Sequence, residues 1–162
     1  ILNKMHKGIK LEWSKQYVKN AKKAGLIIHG CFMVGNPGDT KETMEETFLL
    51  SLKLNPDTAQ FFPLMVYPGT EAYKWAQTRG YLTTNDFSKW VTEDGLHSCI
   101  ISTPEISAEE LVAFCDEARR RYYLRPAYIF SKLRQFIFYP AERKRLLKAG
   151  VRFIKFISKK GK

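Results

Sequence analysis

The stretch HGCFMVGNPGDTKETMEET, from His29 to Thr47, decides how the chain folds. It begins inside the run LIIHGCFMV, residues 26–34, which is short and nearly all apolar, as is typical of a parallel strand buried on both faces. The apolar run stops at Gly-Asn-Pro-Gly, and Asp39 then stands three residues before Glu42, the spacing of a capping box. The stretch therefore predicts a strand, a tight turn and a helix in direct succession.

The flanking segments extend this alternation. Residues 11–25 show helical spacing and end at Gly25, which suits a left-handed C-cap. A second apolar run covers residues 58–66, and another helical segment follows it. The order helix, strand, helix, strand, helix predicts an α/β fold with parallel strands. Because Pro63 cannot donate to a ladder, we expect it at an edge or a bulge.

The second half of the chain reads mainly as helix. LHSCIIS, residues 96–102, could add one short strand, and Ser107 with Glu110 forms a capping box for a long helix. The last residues alternate aromatic or aliphatic side chains with Lys and Arg, as basic amphipathic helices do. We divide the chain into an α/β segment, a capping segment with a helix, and a basic helical tail: residues 1–80, 81–125 and 126–162.

Composition limits the environment and the partners. Only three cysteines occur, at wide spacing, so a reducing cytoplasm is expected and a disulfide framework is not. No apolar run approaches the roughly 20 residues that span a bilayer. The chain begins at Ile1, inside an amphipathic pattern, and we expect it to be a piece of a longer protein.

The net charge of +11 is concentrated at one end. Residues 1–118 contain 12 Lys/Arg and 15 Asp/Glu, a net charge of −3, whereas residues 119–162 contain 15 and 1, a net charge of +14. An acidic partner would therefore bind the last quarter of the chain.

GNPGDT, residues 35–40, is the first candidate for a binding site. In parallel α/β folds, ligands collect at the carboxyl ends of strands, and glycines let the backbone approach them closely. The Lys of a phosphate-binding loop is absent, which argues against a nucleoside triphosphate. Two interpretations remain open: a cradle for an adenosine or amino-acid moiety, and a tight turn with a good N-cap.

The motifs KG, GNPGDT, NPD and YPGT occur in this order within residues 1–80. Together they resemble the second half of a radical S-adenosylmethionine (radical SAM) domain. The continuation to about residue 128 is similar to the tail of the cobalamin-binding subgroup, which includes enzymes that act on hopanoid lipids and anaerobic porphyrin cyclases.

The resemblance implies the carboxyl-terminal portion of a partial TIM-type (βα)6 barrel, followed by an α-helical tail. In that family a [4Fe–4S] cluster, held by Cys-x-x-x-Cys-x-x-Cys, cleaves SAM to a 5′-deoxyadenosyl radical. This chain contains no such triplet. We therefore expect an upstream half of the parent protein to hold the cluster ligands and, in a cobalamin-binding member, the cobalamin domain. That half would be the partner of this chain, and this chain alone is expected to be inactive.

By the same resemblance the chain contributes residues that border SAM, and none that holds a metal. Gly35 and Pro37 would shape the backbone, and Phe32 or Met33 would pack beside the ligand. Tyr67 would lie near the adenine. The cofactor-binding residues implied are Phe32, Met33, Gly35, Asn36, Pro37 and Tyr67. No catalytic residue is predicted.

Two further features carry weaker hypotheses. His29, Cys31, His97 and Cys99 form two His-x-Cys pairs that could converge on zinc, although nothing in the sequence places the pairs together. Aromatic and polar side chains elsewhere have similar double interpretations. Gln60 could bind a substrate or satisfy a neighbouring backbone group. Trp13, Trp75 and Trp90 are expected to pack in the core or at its rim, although Phe87 and Trp90 could instead line a substrate entrance.

The basic tail has three possible roles. It could dock on the rest of the protein, lie on an anionic membrane surface, or bind nucleic acid, for which no recognition motif is present. Two functional hypotheses follow. The first is part of a radical SAM enzyme that acts on a lipid or isoprenoid-type substrate near the inner face of the membrane. The second is a non-catalytic binding module whose basic helices dock on a membrane or an acidic partner.

Overall fold

The computed structural model describes residues 1–5, 7–91 and 98–159. The chain divides into two compact units, Ile1–Arg119 and Arg120–Lys162. The domain limits expected after residues 80 and 125 stay predictions. The helices and strands are, in order, α1 (Leu11–Lys23), β1 (His29–Val34), α2 (Lys41–Leu54), β2 (Thr58–Pro63), α3 (Glu71–Thr78), α4 (Ala108–Tyr123), α5 (Pro126–Phe138) and α6 (Arg143–Lys159), with short 3₁₀ turns at Phe87–Trp90 and Pro140–Glu142.

β1, α2 and β2 form a βαβ unit, as expected. The two strands pair in parallel, with His29 opposite Thr58 and Val34 opposite Pro63. Pro63 ends the strand, and the next residue, Leu64, donates its N–H to the Val34 carbonyl over 2.7 Å. The fold is therefore mixed α/β with a small parallel sheet, and the (βα)6 barrel stays a prediction.

The sheet is covered mainly on one face. Phe32 stacks on Phe61 with ring centroids 5.3 Å apart, and Phe48 of α2 lies 5.9 Å from Phe61. Cys31 and Gln60, on the other face, are exposed. The expectation that β1 is buried on both faces is wrong at Cys31. The described residues cover this second face only near Met33, which is half-buried against another group of buried side chains.

A second core lies beyond the carboxyl ends of the strands. Its buried members are Leu64, Val66, Ala76, Trp90, Ile100 and Ile101. The segment expected as a third strand contributes to it but is not a strand within residues 98–102. Ile101 makes one isolated antiparallel bridge to Leu82 instead. Residues 96 and 97 of that expectation lie outside the described residues.

The second unit is built on aromatic contacts. The ring of Tyr123 lies 5.1 Å from Tyr128 of α5 and 5.2 Å from Phe153 of α6. Arg143, at the start of α6, donates to the carbonyls of Phe136 and Ile137 at the end of α5. These contacts hold the two helices as one unit, which confirms the helical tail.

Candidate functional site

The loop between β1 and α2 is held by its own buried side chains. The Asp39 carboxylate accepts from the Asn36 backbone N–H over 2.8 Å, from Asn36 Nδ2 over 3.1 Å, and from the Thr43 hydroxyl over 2.8 Å. Asn36 Nδ2 also donates to the Met33 carbonyl over 3.2 Å. The polar loop is thus rigidly placed at the carboxyl end of the strand.

Gly35 has a left-handed φ of +82°, which disfavours any side chain. A Cβ at this position would also lie 3.0 Å from both methyl groups of Leu111 in α4. A glycine is therefore needed here for conformation and for space, and the role of Gly35 beside SAM stays a prediction.

The cap of α2 differs from the expectation. Thr40 is the N-cap: its hydroxyl accepts from the Thr43 N–H, and the Thr43 hydroxyl accepts from the Thr40 N–H. The box expected between Asp39 and Glu42 is wrong by one residue, because the Asp39 carboxylate turns back to bind Asn36.

α4 begins at the capping box that the sequence predicts, and an ion pair links its first turn to α2. Ser107 and Glu110 exchange hydrogen bonds of 2.9 and 3.1 Å. Glu110 also accepts from Lys41 at the start of α2 over 2.6 Å. The hydrogen bond from Lys41, with that from Ser107, holds the Glu110 pKa below its ordinary value.

A cavity of about 300 Å³ opens beside the loop. One wall is the turn that follows β1. Another is formed by the residues just after α3, Arg79 and Tyr81, and the third by the segment that leads into α4. The residues that line it are Gly35, Asn36, Gly38, Asp39, Thr40, Trp75, Arg79, Tyr81, Thr103, Glu105, Ile106 and Leu111.

The cavity wall offers polar, charged and aromatic groups. Asn36 is 4% exposed, and its Oδ1 is buried with no hydrogen-bond partner among the described residues. Such an atom costs free energy unless a ligand or water donates to it. Arg79 and Glu105 supply opposite charges at the exposed side. The rings of Trp75 and Tyr81 meet edge to face, 5.4 Å apart. The site can accept a hydrogen bond from a ligand N–H, pair with charged groups of either sign and contact a flat ring.

Only two of the six residues implied as SAM neighbours, Gly35 and Asn36, line this cavity. Phe32 packs on Phe61 in the core under α2. Met33 packs against the second core, and Pro37 is half-buried in the turn. Tyr67 is exposed, and its carbonyl accepts from Thr70, the N-cap of α3. Their roles toward SAM stay predictions.

The remaining wall residues were not foreseen from the sequence. Arg79 and Tyr81 flank Gly80, and this glycine marks a helix end without indicating a ligand. Thr103 and Glu105 lie just ahead of the Ser107 capping box, a signal for the helix alone. These residues come together only through the packing of the segments, so no local sequence pattern predicts the cavity.

Metal binding has no support in the part of the chain that the structure describes, where no group of three or more His, Cys, Asp or Glu side chains could hold an ion. His29 binds the Thr58 hydroxyl across the sheet over 2.7 Å. The Cys99 thiol contacts the Ile101 carbonyl at 3.7 Å. His97, the fourth residue of the zinc hypothesis, lies outside the described residues.

The other aromatic candidates separate by burial. Trp90 is buried in the second core, and its ring meets exposed Phe87 edge to face at 4.7 Å. Trp75 is half-buried beside the same core. Trp13 is exposed on α1, with Lys10 above its ring at 5.8 Å. Core packing is thus observed for Trp90.

Comparison with known proteins finds two relatives that carry enzyme names. The chain is 32% identical over 133 residues to an uncharacterized methyltransferase of Pyrococcus horikoshii, a match that covers 82% of this chain and 28% of the relative. It is 25% identical over 114 residues to the anaerobic magnesium-protoporphyrin IX monomethyl ester cyclase of Cereibacter sphaeroides. That match covers 70% of this chain and 18% of the cyclase.

The chain thus spans about a quarter of the first relative and about a fifth of the second. No family model matches it, and no solved structure gives a significant match. In the described residues, no helix is both long and apolar enough to cross a bilayer. The relatives suggest a distant kinship with radical SAM or methyltransferase-like enzymes.

Proposed function

We propose that this chain is the late part of the catalytic domain of a radical SAM enzyme and that the strand-end cavity holds part of SAM. The observation that carries the proposal is the buried Asn36 Oδ1, which has no hydrogen-bond partner in the described part of the chain and belongs to a cavity at the carboxyl end of a parallel strand. The relatives named as a methyltransferase and an anaerobic cyclase support an enzyme of this kind.

The residues of the cavity fit the chemistry of SAM. Asn36 Oδ1 suits an N–H donor, such as the adenine amino group or the ammonium group of the methionyl end. The Arg79 guanidinium suits the carboxylate of that end, as a charge-assisted hydrogen bond. The rings of Trp75 and Tyr81 suit the adenine face or the sulfonium charge. A volume of about 300 Å³ is at the lower limit for small-molecule sites, which suits part of the ligand.

When bound, SAM would supply either a methyl group or a carbon-centred radical. The residues of this chain would bind and orient it, and the β1–α2 loop would exclude water from one side. The sequence contains no Cys-x-x-x-Cys-x-x-Cys triplet, so the iron–sulfur cluster of such an enzyme would be held by another part of a longer protein. A cobalamin domain and the residues that select the substrate would likewise belong to that longer protein.

The test begins with SAM binding by the chain, measured by equilibrium dialysis, for the wild type and for Arg79→Gln. Because Arg79 is exposed, the variant is expected to fold. Loss of one charge-assisted hydrogen bond, about 1.5–3 kcal/mol, should weaken binding roughly 10- to 150-fold. The matched control is Arg152→Gln, at an exposed position on α6, and it should bind as the wild type does.

The reaction is tested on the longer protein after anaerobic reconstitution of its iron–sulfur cluster. 5′-Deoxyadenosine formed with SAM and a low-potential reductant would support radical chemistry. S-Adenosylhomocysteine formed without 5′-deoxyadenosine would refute the radical mechanism in favour of polar methyl transfer. If neither product forms, or if Arg79→Gln leaves SAM binding unchanged, the assignment of this cavity fails.

A further inference from the structure

The second unit combines high positive charge with uncovered apolar side chains. Its described part, residues 120–159, contains 12 Lys/Arg and one acidic residue, Glu142. Glu142 is already bonded to Arg145, with Nε to Oε2 at 2.6 Å. The described part of this unit therefore has a net charge of +11.

α5 carries an exposed apolar stripe. Ile129, Phe130, Leu133 and Ile137 lie at i, i+1, i+4 and i+8, on one side of the helix. All four are exposed, Phe130 at 72%. The aromatic contacts of the unit are made instead from another side, where Tyr128 meets Tyr123. The stripe is therefore not needed for the internal packing of the unit.

α6 repeats the arrangement and adds charge beside it. Leu147, Val151 and Ile154 are all more than half exposed and lie at i, i+4 and i+7. Three exposed lysines, Lys144, Lys148 and Lys155, lie on the adjacent side of the helix, at i, i+4 and i+11. An apolar stripe bordered by lysines is the pattern of a helix that lies in the plane of a membrane interface.

We infer that α5 and α6 dock on an anionic phospholipid surface, with the apolar stripes inserted among the lipids and the lysines at the headgroups. The inference does not depend on the SAM chemistry proposed above. Nucleic acid would attract the same charge, but the exposed Phe130, Leu133 and Ile137 would gain nothing from phosphates. A second copy of this unit is disfavoured because its net charge has the same sign.

The experiment is sedimentation of the whole chain with large unilamellar vesicles. One set is pure phosphatidylcholine and the other contains about one third phosphatidylglycerol. We expect binding to the anionic vesicles alone. The bound fraction should fall as NaCl rises from about 50 to about 500 mM, because salt screens the attraction between surface charges. This wild-type measurement does not rely on the folding of any variant.

Two variants separate charge from insertion. The combined Lys144→Gln, Lys148→Gln and Lys155→Gln variant should lose about 100-fold in partition coefficient, since each cation near an anionic surface contributes about fivefold. The combined Leu147→Ser, Val151→Ser and Ile154→Ser variant should also release the chain, although its charge is unchanged. The matched control neutralises three exposed lysines of α1: Lys15→Gln, Lys19→Gln and Lys23→Gln.

The inference is overturned if the wild type sediments equally with neutral and anionic vesicles or with neither. It also fails if the α1 control loses as much binding as the α6 lysine variant, because net charge alone would then explain the effect. Full binding by the serine variant would show adsorption without insertion and would likewise contradict it. Tight binding of duplex DNA by a chain that ignores vesicles would favour nucleic acid instead.

Discussion

Replacement of Asp39 tests whether the β1–α2 loop is held as the structure indicates. Asp39 is 7% exposed, and its carboxylate accepts hydrogen bonds from the Asn36 N–H, from Asn36 Nδ2 and from the Thr43 hydroxyl. Asp39→Ala removes all three acceptor contacts. Asp39→Asn keeps the shape of the side chain and one amide oxygen, which can still face Asn36.

The expected magnitudes follow from the alternatives open to each donor. Without Asp39, Asn36 Nδ2 keeps the Met33 carbonyl at 3.2 Å, and the Thr43 hydroxyl keeps the Thr40 carbonyl at 3.1 Å. The Asn36 N–H has no such substitute within residues 1–5, 7–91 and 98–159, and a buried unsatisfied donor costs about 1–3 kcal/mol. The loss of hydrogen bonds to a charged acceptor adds to this cost. We therefore expect Asp39→Ala to lower the free energy of unfolding by about 2–4 kcal/mol.

Asp39→Asn should cost much less. Its carbonyl oxygen replaces the atom that binds Asn36, and its amide can donate to the Thr43 hydroxyl oxygen. The remaining loss is that of a negative charge close to the start of α2, about 0.5–1 kcal/mol. Urea unfolding followed by tryptophan fluorescence measures both variants, since Trp75 and Trp90 lie in the same unit as Asp39. Equal destabilisation by the two substitutions, or a loss below about 1 kcal/mol for Asp39→Ala, would refute the network.

Two further predictions concern packing and thiol chemistry. Gly35→Ala should destabilise the chain by about 2–4 kcal/mol in urea unfolding, because left-handed strain of about 1–2 kcal/mol adds to a clash with Leu111. Gly80→Ala, with φ +69° and no neighbour within 4 Å, should cost the strain alone, and an equal loss would contradict the close packing. Burial raises the pKa of Cys115 to about 12, so at pH 8 its thiolate fraction is about 10⁻⁴. Iodoacetamide followed by peptide mass spectrometry should therefore label exposed Cys31 long before Cys115; comparable rates would disprove the burial of Cys115.

The elements that were predicted correctly are those with strong local signals. α1 ends where Gly25 takes a left-handed φ of +71°, and α4 begins at the Ser107–Glu110 box. β1 and β2 were recognised as short apolar runs separated by one helix, for which parallel pairing is the usual solution. Each signal depends on residues within one turn or one strand, so it can be read from the order of the amino acids.

The predictions that the structure contradicts depend on the partners that a side chain or a segment finds in the folded chain. Asp39 and Thr40 are both good N-caps, and the choice between them depends on the buried Asn36, which attracts the carboxylate. The segment around Ile101 is apolar enough for a strand. It packs in the second core instead and makes a single bridge to Leu82, because no neighbouring strand is present in the described residues for it to extend.

By itself the sequence determined the βαβ order, the glycine-bearing turn after β1, the separation of charge and the helical tail, because periodicity, caps and composition are local properties. Only packing between distant segments brings Arg79, Tyr81 and Glu105 to Asn36 around one cavity. The same packing leaves Asn36 Oδ1 without a hydrogen-bond partner among the described residues. These residues are up to 69 positions apart in the chain, and no local pattern encodes their distance. They meet because the second core and α4 pack against the end of β1, which depends on all the buried side chains at once.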